Sequence, residues 1–347
     1  MDWLLKQIRV YATLSSLLLA PLQAEDAQPA PPREKVVVTW RTELGAFDRA
    51  AYRMGLARLL NQYEKFAQTT LDSKGFDSIG IKVQTANAPG LATPRALIDA
   101  TIDLLLTHGF HLDDIFLLDG QARGLRAAGF LPPLSEGGSK YRGVAVKALG
   151  GGEFFRPEWF HDSPLPPSSS YALKAKLAFP NDPEAQRREG RRSYLPTSLM
   201  LGKVGWIDLS VARDSASLGV DGAVANASLW NVGNNRRFLE RKSTAPAAAI
   251  EILAVPELWD RHLFSVLSLE KFQYSGGRKF HAAYVASKPA LLLSPNPIGI
   301  DAAALEVLRV EREKHDLLPR TKDQLLFQYA RALNLGDARE AKVVPLR

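Results

Sequence analysis

Apolar and polar positions along this chain switch between two periods, and the switches mark its elements. A β-branched run, KVVVTW over 35–40, reads as a first strand. From about 47 to 70 the apolar residues return at helical spacing: Tyr52, Leu56, Leu59, Leu60, Tyr63 and Phe66 share one face, which predicts a long helix laid on a core. The stretch 78–120 is the clearest unit, with a strand (IGIKV), a small-residue loop, a helix and a second strand (DIFLLD). Thr93 and Pro94 supply a capping oxygen and a residue whose φ is already set, and Gly109 supplies the stop. Such a βαβ unit makes its strands parallel, so the loops after Val83 and Leu118 leave the same edge of the sheet, the edge where open α/β sheets bind ligands.

Further strands are expected at 143–148, 205–212, 263–269 and 290–293, and helices from near Asp301 and over 322–335, with a closing strand at 342–346. Between 150 and 199 the periodicity fades into a triple glycine, an aromatic cluster (EFFRPEWFHD) and a proline-serine stretch. Fifty residues of that kind read as an irregular excursion, either a functional lid or a loop packed over one face. The expected fold class is therefore α/β: a mostly parallel sheet with helices on both faces, in a single large domain over 36–347 with one long insertion.

The first residues change the setting. Lys6 and Arg9 precede an apolar stretch over 10–22, and Leu22-Gln23-Ala24 offers a cleavage site, so 1–24 reads as a signal peptide and the protein as periplasmic or secreted. Pro21 and the shortness of the run argue against a membrane span, which leaves an uncleaved leader as the one route to a membrane. The proline-rich polar stretch 25–35 reads as a flexible linker.

Composition then removes several chemistries. The 347 residues include no cysteine, so there is no disulfide, no thiol nucleophile and no cysteine-ligated iron–sulfur cluster. The formal charge is +7, yet the basic residues are scattered. Their one dense run, Arg187, Arg188, Arg191 and Arg192, lacks a nucleic-acid module around it and reads as a solvated loop, so a nucleic-acid partner is disfavoured.

Four stretches carry a family resemblance. The segment IKVQTANAPGLATPRALIDATIDLLLTHGFHLDDIFLLDGQARGLRAAGF, then VARDSASLGVDGAVANASLWNVGNNRRF, then YSGG followed by LLLSPNPIGIDAAALEVLRVEREK, and last YARALNLGD resemble, in order, the bacterial family called domain of unknown function 362. The resemblance implies a mixed α/β fold, with no defined activity. Many relatives carry ferredoxin-type cysteines, and their absence means that an electron-transfer role is not inherited. Where relatives show a lysine and a histidine, this chain has Arg213 and Ser215, and Ala225 replaces the lysine of a Lys-Asn pair. Ser268 and Leu269 replace an Asp-Gly, while Asn226 and Asp301 remain.

Several polar groups are candidates for chemistry. His108 and His111, three apart, would share a metal on one unbroken helix, but Gly109 ends the helix between them. Asp119 stands at the carboxyl end of its strand, where it either faces a ligand or makes a turn with Gly120. The run Asn226, Asn231, Asn234, Asn235, Arg236 and Arg237 combines amides with guanidinium groups suited to carboxylate or phosphate. Asp301 either caps its own helix or projects a carboxylate into a cleft. The expected ligand-binding set is Lys82, Asp119, Asn226, Asn234, Arg236 and Asp301, of which Lys82, Asp119, Asn226, Arg236 and Asp301 are expected to line one cleft, with catalytic roles unassigned. No phosphate loop, HExxH or GxSxG motif is present, no cofactor is called for, and a divalent metal stays open. The chain thus reads as an exported protein that binds a polar or anionic small molecule at the carboxyl edge of its sheet, with catalysis undecided. The alternative is a non-catalytic envelope protein, derived from an ancestral enzyme, that contacts a protein partner through exposed Phe154, Phe155, Trp159 or Phe160.

Overall fold

A computed structural model describes residues 35–239, 243–321 and 324–346. The expected signal peptide, the linker up to residue 34 and the expected helix start at Lys322 lie outside the described residues. In chain order the first half contains β1 (Val38–Glu43), α1 (Arg49–Ala67), β2 (Ser78–Val83), α2 (Arg95–Thr107), β3 (Ile115–Asp119), α3 (Ala122–Ala127), β4 (Lys140–Tyr141) and β5 (Val144–Ala148). The expected excursion follows with β6 (Phe160–Asp162), α4 (Ser169–Ala178), α5 (Pro183–Arg191) and β7 (Arg192–Tyr194). The second half contains β8 (Val204–Ser210), β9 (Arg213–Ser215), β10 (Gly219–Asp221), α6 (Ala223–Ala227) and α7 (Thr244–Leu253). It continues with β11 (His262–Ser268), β12 (Phe272–Gln273), β13 (Val285–Ala286), β14 (Ala290–Ser294), α8 (Pro297–Glu313), α9 (Leu325–Ala332) and β15 (Lys342–Pro345).

Nine strands form one sheet in the order β15-β1-β14-β11-β8-β2-β3-β5-β4. The five from β11 to β5 run parallel, and β14 and β4 flank them antiparallel. These central strands are apolar on both sides because helices cover both faces. One face buries Ile81, Leu117 and Leu209 under α1 and α2, through Leu59 and Leu105. The other buries Phe116, Trp206 and Leu292 under α6, α7 and α8, through Val224, Ile250 and Leu305. The fold is α/β with a mostly parallel sheet, as the βαβ unit implied.

The order of strands fixes where a site can form. From β2 the chain moves outward to β3 and β5, then returns to place β8 on the other side of β2 and continues to β11. Connections therefore diverge between β2 and β8, leaving a crevice beyond their carboxyl ends.

Three sequence expectations change. Thr93 does not cap α2: Pro94 holds the cap position, and the Thr93 Oγ1 accepts from Gln84 N at 2.8 Å and donates to Leu209 O at 2.6 Å. The helix expected near Asp301 begins at Pro297, capped by Asn296, whose side chain accepts from the Ile298 N–H. The excursion is not irregular. It carries α4, α5 and the β6–β7 pair, and its fading periodicity has a simple cause: α4 buries Ala175, and α5 buries Ala185 and Gly190, too few apolar positions to make a stripe. The basic run 187–192 is not a loop but extends along α5 into β7, with Arg187 and Arg188 exposed, and Phe154, Phe155 and Trp159 pack half-buried against the core.

Asp182 caps α5 by accepting from the Ala185 N–H at 2.8 Å. Asp182→Ala should lower the opening free energy of the α5 amides by about 1 kcal/mol in native-state hydrogen exchange, with the β2, β3 and β8 amides unchanged. An equal fall in the sheet amides would show instead that excursion and sheet open as one unit.

Candidate functional site

The register of the sheet aligns polar residues into a row. Ser294, Ser265, Asp208, Lys82, Leu118 and Lys147 are successive cross-strand partners on β14, β11, β8, β2, β3 and β5, so all point to the face covered by α6 and α8. Lys82 and Asp208 are wholly buried there. Two ionisable groups in an apolar layer need partners, and α6 brings one down: Asn226 Oδ1 accepts from Lys82 Nζ at 2.6 Å, while its Nδ2 donates to Asp208 Oδ1 at 2.5 Å.

Lys82 Nζ also donates to Asp119 Oδ1 and to Val83 O, each at 2.7 Å, so its three protons are all used. Asp119 is equally occupied. Its Oδ1 accepts from Lys82 and from Gly120 N, and its Oδ2 accepts from the Thr85 N–H at 2.8 Å and the Thr85 hydroxyl at 2.5 Å. Asp208 is the weak member: Oδ2 is buried without a hydrogen-bond partner, and burial pushes its carboxyl up to about 7.

In place of one cleft lined by Lys82, Asp119, Asn226, Arg236 and Asp301, the structure separates the candidates. Lys82, Asp119 and Asn226 meet in this buried network, which sews the ends of β2 and β3 to α6. Asp301 sits within α8 and caps α6 rather than its own helix, its carboxylate accepting from Ala223 N at 2.6 Å and Val224 N at 3.1 Å. Burial raises its proton affinity well above the usual carboxylate range. Asn234 is tied to the excursion instead, accepting from Ser168 N and donating to Gly190 O. Arg236 is exposed, and the neighbouring Arg237 turns inward to the carbonyls of Leu165, Gly190 and Arg191. The asparagine-arginine run therefore splits along its length, because only Asn226 falls on the turn of α6 that faces the sheet. His108 closes α2, with Nδ1 2.8 Å from Leu104 O, and His111 is exposed beyond it. Among the described residues no group of three or more His, Cys, Asp or Glu is placed to hold a metal.

The accessible site lies beside this network. A cleft of about 370 Å³ is walled by the loop after β2 (Pro89, Thr93), the end of α3 (Arg126, Gly129) and Glu270–Lys271 after β11, all segments leaving carboxyl ends of parallel strands. Thr93 joins it to the buried network through its bond to Gln84 N, next to Thr85. A second cleft of about 470 Å³ adjoins the first, and Arg95, Arg126 and Gly129 line both. Neither Arg95 nor Arg126 pairs with a carboxylate within 4.0 Å among the described residues, and the Arg126 Nε is a buried nitrogen without a hydrogen-bond partner. Gly129 is required in this wall: its φ is +79°, and a Cβ there would stand 3.2 Å from Arg95 Nη1. Sequence reading missed both arginines because nothing local marks them; α3, which carries Arg126, buries a single residue, Leu125.

No family model matches the chain, and comparison with curated proteins found no match. A crystal structure of a protein from Thermotoga maritima superposes with a TM-score of 0.38 and 10% sequence identity, covering 76% of this chain and 59% of that one. The chain thus spans 59% of that protein's length, and the likeness adds nothing to the fold described above.

Asp208 makes the network pH-dependent. Its proton is held more tightly in the folded than in the unfolded chain, so its contribution to stability is full below the ordinary carboxylate pKa and is lost as pH rises towards about 7. Asp208→Asn removes that loss while keeping an oxygen for the Asn226 amide. Denaturant unfolding at pH 4 and pH 8 should show the variant gaining on the wild type by a few kcal/mol with rising pH, at about 1.4 kcal/mol per unit of displaced pKa. A difference that does not change with pH would mean an unshifted carboxyl.

Proposed function

We propose that this protein is an exported binding protein for a small polar anion, held at the carboxyl edge of the sheet in the cleft that Arg95 and Arg126 share. One observation carries the reading: two arginines without carboxylate partners within 4.0 Å both line a concave site built from the segments that follow β2, β3 and β11. Guanidinium groups bind carboxylate and phosphate oxygens in a fork, and a cleft of this size suits a small molecule. The network of Lys82, Asp119 and Asn226 has its polar atoms committed internally, so its part is to fix the loops that carry the arginines rather than to touch the ligand. Membership of domain of unknown function 362 belongs to the same proposal, supported by the four stretches quoted above. Export rests on the charged and apolar pattern of the first residues, and N-terminal sequencing of the protein recovered from its source should begin near Glu25; an N-terminus at Met1 would remove that part of the reading.

A second reading, a non-catalytic envelope protein, is favoured by a different surface from the one expected. The aromatic cluster packs inward, but Leu173 and Leu177 on α4 are 57% and 73% exposed, and Phe179 beyond the helix is 38% exposed. The two readings separate on ligand binding. Thermal unfolding against phosphate, sulfate, carboxylates, sugars and divalent metals should show a rise with an oxyanion, about 2.7 kcal/mol at 100 times the dissociation constant. Arg95→Ala and Arg126→Ala should each abolish it. A flat panel, or a rise that survives both substitutions, would sink the anion reading and leave the α4 surface as the functional face.

A further inference from the structure

The two clefts do not carry their charge in the same place, and that difference narrows the ligand. In the 470 Å³ cleft the lining cations away from the shared wall are compensated: Lys140 lies 3.6 Å from Asp113, and Arg142 pairs with Asp99 and Asp103. In the 370 Å³ cleft Lys271 is accompanied by Glu270. What lacks a carboxylate partner within 4.0 Å among the described residues is the common wall, where Arg126 and Arg95 both line the two clefts, Arg95 lying over the Tyr141 ring at 5.8 Å from its centroid. Beyond that wall the first cleft offers apolar surface from Pro132 and Pro133, and the second offers Pro89, Ala92 and Ala127.

A ligand with its charge at one end fills one cleft and leaves the other empty. A ligand that fills both must carry its charge in the middle, with a largely uncharged arm on each side. Building on the anion-binding reading, we infer that the site takes a phosphate diester, its bridging phosphate held between Arg95 and Arg126 and its two substituents lying one in each cleft. Two sources share this chemistry, a glycerol-based lipid headgroup and a dinucleotide. The phosphate is singly charged and offers two unesterified oxygens, which matches two guanidinium groups approaching from a common wall.

The test is titration calorimetry on the full chain with inorganic phosphate, glycerol 3-phosphate, glycerophosphoglycerol and a dinucleoside monophosphate. Two further variants each obstruct one cleft at an exposed position outside the arginine wall: Pro133→Trp for the larger and Ala127→Trp for the smaller. At least one diester should bind about tenfold or more tighter than inorganic phosphate, and each tryptophan should weaken that diester by about tenfold while leaving phosphate within about twofold. The diester that binds tighter identifies the source. Phosphate and diesters of equal affinity, insensitive to both tryptophans, would overturn the diester inference and leave the anion-binding reading standing. Absence of binding by all four probes would overturn both.

Discussion

The fold is organised around a lysine and an aspartate that cross-strand pairing places side by side in the middle of a buried sheet. Lys82 and Asp208 are partners on β2 and β8, and neither reaches water. Removing each from solvent costs several kcal/mol, and the cost is offset only if every polar atom finds a partner. The chain Thr85–Asp119–Lys82–Asn226–Asp208 supplies those partners for all but one oxygen. Because its members come from β2, the loop after it, β3, α6 and β8, the network fixes how these elements meet. Asp301 extends the constraint by holding the start of α6 from α8, which keeps Asn226 above the sheet.

That rigidity explains where the accessible site lies. The crevice between β2 and β8 is filled by its own polar side chains, so the open volume is displaced sideways, to the loops after β2, β3 and β11. Thr93 is the hinge of the arrangement, tied to Gln84 and Leu209 and lining the cleft at the same time. A cleft supported from beneath by such a hydrogen-bond network has walls already ordered, which lowers the entropic cost of filling it.

Arg213, Ala225 and Ser268 have also been absorbed into structure. Arg213 is buried and pairs with Asp221, which further accepts from Gln84 Nε2 at 3.2 Å and from Trp230 Nε1 at 2.9 Å. Ala225 is buried in α6 beside Asn226. Ser268 shares a hydrogen bond of 2.6 Å with the Tyr52 hydroxyl. Arg213 and Ser268 are thus held by hydrogen-bond partners of their own and Ala225 by burial, which fixes one arrangement of the second half.

The sequence by itself determined the class of the fold. The helical stripe of α1, the strand–helix–strand spacing of 78–120 and the apolar runs of β8, β11 and β14 are local patterns imposed by burial on one or two faces, and they survive without knowledge of neighbours. Lys82, Asp119 and Asn226 were legible as exceptional because each interrupts or ends an apolar segment. What tertiary structure decided was their grouping and the use made of it. Asn234 and Arg236, close to Asn226 in sequence, diverge because the chain turns after α6, and α4 and α5 carried too few buried residues to show a period. Arg95 and Arg126, separated by a helix and a strand, line the same pair of clefts only because tertiary structure brings the start of α2 and the end of α3 to one place. Periodicity records which side of an element is buried; it does not record which exposed residues of different elements come to face one another.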